Sequence, residues 1–186
     1  MSHDLDTMAA RLLYDREVNP ELLEEWTAQV AAPKPTRARG TVAALLLRSG
    51  AEWLALPASC LDEAAGPSPI HAVPYLSSPV FLGLINMGGE LLPCMSLAAL
   101  LRATPSELPA HPRVVAVSLA QGRFALLADE VAGTATYHPG EVRPAPDTVA
   151  RSPRPLVRGV VELEGRPAGL LDATALGEAL FRSLRP

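Results

Sequence analysis

Two stretches decide how this chain reads: Phe81-Leu82-Gly83-Leu84-Ile85-Asn86-Met87-Gly88-Gly89-Glu90 and Val157-Arg158-Gly159-Val160-Val161-Glu162-Leu163-Glu164-Gly165-Arg166. Gly83 and Gly89 are spaced as Gly159 and Gly165 are. Further on, Ser96 stands where Asp172 stands, and each leads into an Ala/Leu-rich segment of helical character. Working outward, the beginnings match as well. Val42 to Leu47, a turn at Gly50 and Trp53-Leu54-Ala55-Leu56 parallel Val114 to Leu119, a turn at Gly122 and Phe124-Ala125-Leu126-Leu127. The spacing implies two related units of roughly 70 residues each. Units that small are marginal alone, so they are expected to pack on one another.

The units are built of strand-length apolar runs. Val42–Leu47, Trp53–Leu56, Phe81–Met87, Leu91–Met95, Val114–Leu119 and Phe124–Ala128 are the strongest, with weaker ones at Val131–Tyr137, Val157–Leu163 and Ala168–Leu171. Ser49-Gly50, Gly88-Gly89, Gln121-Gly122 and Glu164-Gly165 bound them as turns. Many short strands at close spacing suggest small barrels or a sandwich. Gly88-Gly89 and Glu164-Gly165 join apolar runs and are expected to need positive φ. Gly83 and Gly159 stand at strand starts, where a missing side chain permits close backbone approach or a sharp bend. Short helices are expected at Leu97–Leu101 and Ala173–Leu184.

Residues 1–40 differ. Leu5, Met8, Ala9, Leu12 and Leu13 follow the spacing of an amphipathic helix. Asn19-Pro20-Glu21 reads as the start of a second, with Leu22, Trp26 and Val30 on one face. Ala31 to Gly40 reads as a linker.

Hydrophobic residues make up 48% of the 186 and aromatics only 4%, so the core must be Leu, Val and Ala. A net charge of −4 and a single lysine, Lys34, leave no basic stripe for nucleic acid. Cys60 and Cys94 have no CxxC or Cys/His partner and read as free thiols of a reducing compartment. No signal peptide and no membrane-length apolar stretch is seen. His3, His71, His111 and His138 are isolated, and neither a metal-spaced cluster nor a phosphate-binding or nucleophile-elbow motif occurs. Asp62-Glu63 and Asp129-Glu130 are adjacent pairs whose members point to opposite faces of a strand, so both read as solvated charges. No enzyme chemistry and no cofactor are expected.

Four runs, in chain order, resemble the CheW-like domain family: Phe81 to Pro93; Leu126-Leu127-Ala128-Asp129-Glu130-Val131; Glu141-Val142-Arg143-Pro144-Ala145-Pro146; and Leu156 to Val161 with Leu170-Leu171-Asp172. The resemblance implies a mainly β fold of two packed small five-stranded β-barrels, SH3- or OB-like. To this the chain adds its N-terminal helical arm and a short C-terminal helix. The expected boundaries are a helical extension and linker over 1–40 and the CheW-like domain over 41–184. Within it, subdomain 1 is expected at about 41–105, subdomain 2 at about 112–172 and the helix at about 173–184.

The resemblance further implies a non-enzymatic adaptor that couples methyl-accepting chemoreceptors to a CheA-type histidine kinase. Such domains bind the regulatory domain of the kinase through barrel ends and hold the cytoplasmic tip of a receptor in an apolar groove between barrels. They lie in the cytoplasm, at receptor arrays on the inner face of the membrane, without inserting. Carried over by position, the partner-binding residues are Leu61, Glu63, Gly83, Ile85, Asn86, Met87, Gly88, Gly89 and Val131. Core packing is an equally good reading for Leu61, Ile85 and Val131, and an Asx-type turn for Asn86. The chain departs from the family at Gly88, where the pattern has an Arg that would pair with the Glu matched by Glu63, and at Ser96, where it has Asp. Gly88→Arg is thus expected to restore the pair, with little change in stability and a gain in kinase affinity. The alternative reading is a single-partner, system-specific binding module whose N-terminal arm docks on the groove or blocks it.

Overall fold

A computed structural model describes residues 40–74, 76, 78–105, 111–145 and 155–184. The helices expected before residue 40 lie outside the described residues. Two-residue turns and period-two apolar patterns give the strands β1 (Val42–Ser49), β2 (Glu52–Pro57), β3 (Leu61–Ala65), β4 (Ile70–His71), β5 (Phe81–Met87) and β6 (Glu90–Ser96). After the helix α1 (Leu97–Leu101) come β7 (Arg113–Leu119), β8 (Gly122–Ala128), β9 (Glu130–Tyr137), β10 (Val157–Leu163) and β11 (Arg166–Leu171), then α2 (Ala173–Ser183).

The strands form two mixed sheets, a five-stranded one in the order β10-β11-β2-β1-β9 and a six-stranded one in the order β3-β7-β8-β6-β5-β4. This corrects the division at about residues 105–112. Neither sheet is a consecutive half of the chain: the first is made of its two ends and the second of its middle. β2 runs parallel to β11 through Leu54↔Gly169 and Ala55↔Leu170, and β8 runs parallel to β6 through Ala125↔Cys94 and Leu126↔Met95. The hairpins of the two repeats have thus exchanged partners. A repeat marks equivalent hairpins, but hairpins with the same apolar pattern are interchangeable as neighbours, so periodicity alone could not say which pairs meet.

The repeat itself is reproduced in detail. β5–β6 shifts register between Phe81 and Gly83, and β10–β11 between Val157 and Gly159, a bulge at the same place in each unit. A Cβ on Gly83 would lie 2.3 Å from the His71 carbonyl oxygen, and one on Gly159 would lie 2.7 Å from that of Arg143. Both glycines therefore let a neighbouring backbone cross the bulge. The hairpin turns are alike, with φ of +58° and +89° at Gly88 and Gly89 and +50° and +72° at Glu164 and Gly165. Ser96 Oγ accepts the Ala99 amide at 3.1 Å and Asp172 Oδ1 accepts the Ala175 amide at 2.8 Å, so both side chains cap helices. Ser and Asp serve about equally as N-caps, which makes the departure at Ser96 structurally neutral.

Packing follows from alternation along the central strands. Leu45 and Leu47 of β1, Leu54 and Leu56 of β2, Val115 and Val117 of β7, and Phe124 and Leu126 of β8 join Met95, Leu171, Leu176 and Leu180 in one apolar layer shared by the two sheets. The residues between them face the other way. Ala44, Leu46 and Ala55 pack with Tyr137, Val161, Leu163 and Leu170, while Val114, Ala116 and Ala125 pack with Ile85, Met87, Leu92 and Cys94. Side chains of both sheets fill this shared layer, and Val131 and Val157 pack against it only partly buried.

The chain passes from the second sheet to the first at Asp129-Glu130, which are not the solvated charges expected. Asp129 Oδ2 accepts the Gly50 amide at 2.6 Å, and the Asp129 amide donates to the Arg48 carbonyl at 2.9 Å. Arg48 is 1% exposed; its Nε meets Glu130 Oε2 at 3.1 Å and its Nη1 the Gly50 carbonyl at 3.0 Å. A buried guanidinium is tolerable only with such partners. Truncation in the shared layer is expected to unfold both sheets together. Leu126→Ala should cost about 2–5 kcal/mol in urea denaturation, in a single transition, whereas Leu91→Ala at an exposed site should stay within about 0.5 kcal/mol.

Candidate functional site

The expected partner-binding residues come from β3, from β5 and the turn after it, and, for Val131 alone, from β9. β3 carries a bulge between Leu61 and Glu63 opposite β7, which turns Leu61 toward the shared apolar layer and leaves Asp62 and Glu63 exposed. In β5, Ile85 and Met87 point into the core at 0% and 6% exposure, and Gly83 is buried under His71. Asn86 faces outward, and its Oδ1 accepts the Gly89 amide at 3.0 Å, the Asx-type contact that fixes the hairpin turn.

Five of the nine residues, Glu63, Ile85, Asn86, Met87 and Gly88, border one open depression of about 360 Å³, completed by Val114 and the Ala65-Gly66-Pro67-Ser68 connector. The depression lies where β3 and β5, at opposite sides of the second sheet, face each other. Gly89 sits on the exposed turn beside it. Leu61 and Val131 are packed on the shared layer and Gly83 is covered, so these three lie apart from it. A Cβ on Gly88 would come 3.8 Å from Glu63 Oε1, so the two positions adjoin as the family pattern implied. A side chain there would adopt φ near +58°, a left-handed conformation that costs about 1 kcal/mol away from glycine. Glu164 already does so in the equivalent turn.

The neighbouring charges are arranged around Arg123 of β8. Its Nε meets Asp62 Oδ2 at 2.9 Å, its Nη1 meets Glu90, and Ser118 Oγ donates to Asp62 at 2.8 Å. Arg123 and Ser118 continue the face of β8 and β7 that carries Ala125 and Ala116, so the network closes one end of the second sheet's core. The Ser118 hydroxyl holds the Asp62 carboxyl below its usual range, burial opposes it, and the hydrogen bond and charge of the Arg123 guanidinium add to the lowering. Glu63 stands outside this network: among the described residues no hydrogen bond or ion pair engages its carboxylate.

Sequence reasoning missed two elements. Leu91, paired with Asn86 across the hairpin, is 59% exposed, the most exposed large apolar side chain among the described residues. It sits in an apolar run that read as strand core, and only the outward phase of β6 reveals it. Arg123 carried no motif at all. The repeat supplies a counterpart to the depression on the first sheet, bordered by Glu141, Arg143, Val160, Val161, Glu162, Gly165 and Pro167.

Nothing in the arrangement is suited to covalent or metal chemistry. Among the described residues no group of His, Cys, Asp and Glu could hold a metal ion. Cys60 and Cys94 are free and buried, and burial pushes the Cys94 thiol up to about 11, far from a thiolate at neutral pH. Among the described residues no helix is long and apolar enough to cross a membrane.

Comparison with known proteins agrees with this picture. The pattern that defines the CheW-like domain matches residues 43–180. The chain is 27% identical over 133 residues to a probable chemotaxis protein CheW of Rhizobium etli, covering 71% of this chain and 84% of that protein. It is 29% identical over 129 residues to the chemotaxis protein CheW of Rhizobium meliloti, covering 69% and 82%. The crystal structure of the scaffolding protein TtCheW from Thermoanaerobacter tengcongensis superposes with a TM-score of 0.62 at 16% identity, over 73% of this chain and 91% of that one.

The Asp62 network has a titration signature. A carboxylate with a depressed folded pKa adds stability above its unfolded value, near 3.9, and loses it as pH falls through the folded value. In an NMR titration the Asp62 carboxyl should therefore titrate below that value in the wild type, and Ser118→Ala should move it back up. An unchanged midpoint would show that the hydroxyl has no part in the shift.

Proposed function

The chain belongs to the CheW-like domain family, whose scaffolding members are non-enzymatic, and from that premise we propose that it couples chemoreceptors to a CheA-type histidine kinase in a bacterial chemosensory array. One observation carries this reading: the family match runs over residues 43–180, from the first strand into the last helix, and so takes in both sheets and the exchange of hairpins that joins them. A two-partner scaffold needs two rigidly related surfaces, and the shared apolar layer provides that rigidity.

On this reading each sheet curls into a small barrel. An Arg143↔Val160 bridge draws the start of β10 toward the segment after β9, and β3 and β5 share the depression at Glu63. The kinase regulatory domain is the partner of the exposed face formed by Glu63, Asn86, Gly88, Gly89 and Leu91. With side chains of both sheets filling the shared layer, the receptor's cytoplasmic tip docks at its border, where Leu61 and Val131 are half-buried. The chain works in the cytoplasm, held at the membrane by its partners. An exposed leucine beside an asparagine and a charged rim has the form of a docking anchor, with the energy concentrated in few side chains.

Titration of the chain with a CheA-type histidine kinase from its own organism should show association at tens of micromolar or tighter. Leu91→Arg should weaken it by at least about tenfold while leaving the unfolding midpoint unchanged. Absence of any association with either kinase or receptor would contradict the proposal.

A further inference from the structure

The ladder between β1 and β9 changes register partway along. From Val42↔Tyr137 to Leu46↔Gly133 the partners follow one register. At Leu47↔Val131 and Arg48↔Glu130 they follow another, displaced by one residue, with Ala132 left over as a bulge. Continued without the bulge, the first register would set Ala132 opposite Leu47, Val131 opposite Arg48 and Glu130 opposite Ser49. Side chains alternate along a strand, so that slip would turn Val131 and Glu130 each to the other face of the sheet. Val131 would leave the shared apolar layer for the face of Ala44 and Leu46, and Glu130 would leave Arg48. Residues 133–137 keep their partners in either register, so the choice rests on the residues before them.

The repeat carries the same device in different chemistry. β3 pairs with β7 through Leu61↔Val117 and then Glu63↔Ala116, with Asp62 as the bulge residue. There a slip would put the Asp62 carboxylate opposite Val117, on the shared apolar layer, so the bulge residue itself excludes it. Ser118 and Arg123 hold Asp62 on the outside instead. Ala132 carries no such penalty, and the exclusion falls to its neighbours. Arg48 is 1% exposed, and its Nε meets Glu130 Oε2 at 3.1 Å. In the slipped register this buried guanidinium would face Val131 and lose its carboxylate, which is strongly unfavourable. We propose that the Arg48–Glu130 pair is the pin that selects the bulged register, and that as positioning residues the two place Val131 at the border of the shared layer. The inference rests on the receptor docking given above, since it is there that Val131 and Leu61, each set just before a bulge, meet the receptor tip. A buried ion pair adds little net stability over apolar side chains of similar size, and fixing register is its best-attested use. Asp129 also ties this crossing, through the Gly50 amide and the Arg48 carbonyl, so its part must be separated from that of the pair.

The double variant Arg48→Met/Glu130→Gln of the full chain, with Asp129 kept, tests the pin. In the wild type, NOEs should join the Val131 methyls to the Leu47 side chain. In the double variant these should weaken, and residues 130–132 should show a second set of resonances. Binding to a methyl-accepting chemoreceptor of its own organism, held in lipid nanodiscs, should fall about fivefold, with kinase binding unchanged. Deleting Ala132 from the double variant leaves only the ladder with Val131 opposite Leu47. It should restore both the NOEs and receptor binding, a rescue that a mere loss of stability would not show. Should the double variant fail to fold, Glu130→Gln alone, at a side chain 32% exposed, should show the same changes in smaller measure. One set of resonances with intact Val131–Leu47 NOEs overturns the pin and leaves the coupling function standing. A slipped register with undiminished receptor binding, or no rescue on deleting Ala132, overturns the placement of Val131. A wild-type chain that binds no receptor contradicts the docking reading and with it the role given to Val131, while the NOEs still judge the pin.

Discussion

Burial of both faces of the four central strands is the constraint on which the rest of the structure depends. β1, β2, β7 and β8 alternate between a layer they share and a core of their own sheet. A strand apolar on both faces cannot sit at a protein surface, so each hairpin must be covered twice. The second cover comes from the exchanged hairpins β10–β11 and β5–β6, laid parallel to β2 and β8. Neither sheet has a complete core without strands from distant parts of the sequence, and so the two sheets form one cooperative body.

That constraint also determines where function can lie. Residues facing inward are committed to packing, as Ile85 and Met87 show. What remains is the outward phase of the second-sheet hairpin, its turn, and the place where β3 meets β5. There the glycines of the turn bring backbone to the surface, Asn86 fixes the turn from within, and Leu91 stands exposed opposite it. Charges close to this face fall into two kinds. Those around Arg123 are mutually satisfied and close off a core. Glu63 stands exposed outside that network. The frame thus leaves exposed on this face an apolar side chain, Leu91, and a carboxylate, Glu63.

Much of the frame was legible in the sequence because it is local chemistry repeated. Gly83 and Gly159 announced a close approach of backbones, Gly88-Gly89 and Glu164-Gly165 announced tight hairpins, and Ser96 and Asp172 fell at equivalent caps. The exchange of hairpins was not legible, since the apolar pattern of a strand does not name its neighbour. Nor was the contact of Arg48 with Glu130 and Gly50, which depends on residues far apart in the chain meeting where it passes between sheets. Asp129 and Glu130 looked like surface charges for the same reason. At the site, the proximity of Glu63 and Gly88 came from the family pattern, whereas the exposure of Leu91 needed the phase of β6, which a run of apolar residues conceals.

The central claim is that this chain works by presenting one outer face of its second sheet to a kinase. Mapping amide chemical shifts of the isotopically labelled chain during titration with the kinase tests it most directly. The account predicts that the perturbed amides cluster on residues 63–68 and 85–91 and spare the β10–β11 hairpin. Perturbations confined to β10–β11, or spread evenly over both sheets, would contradict it.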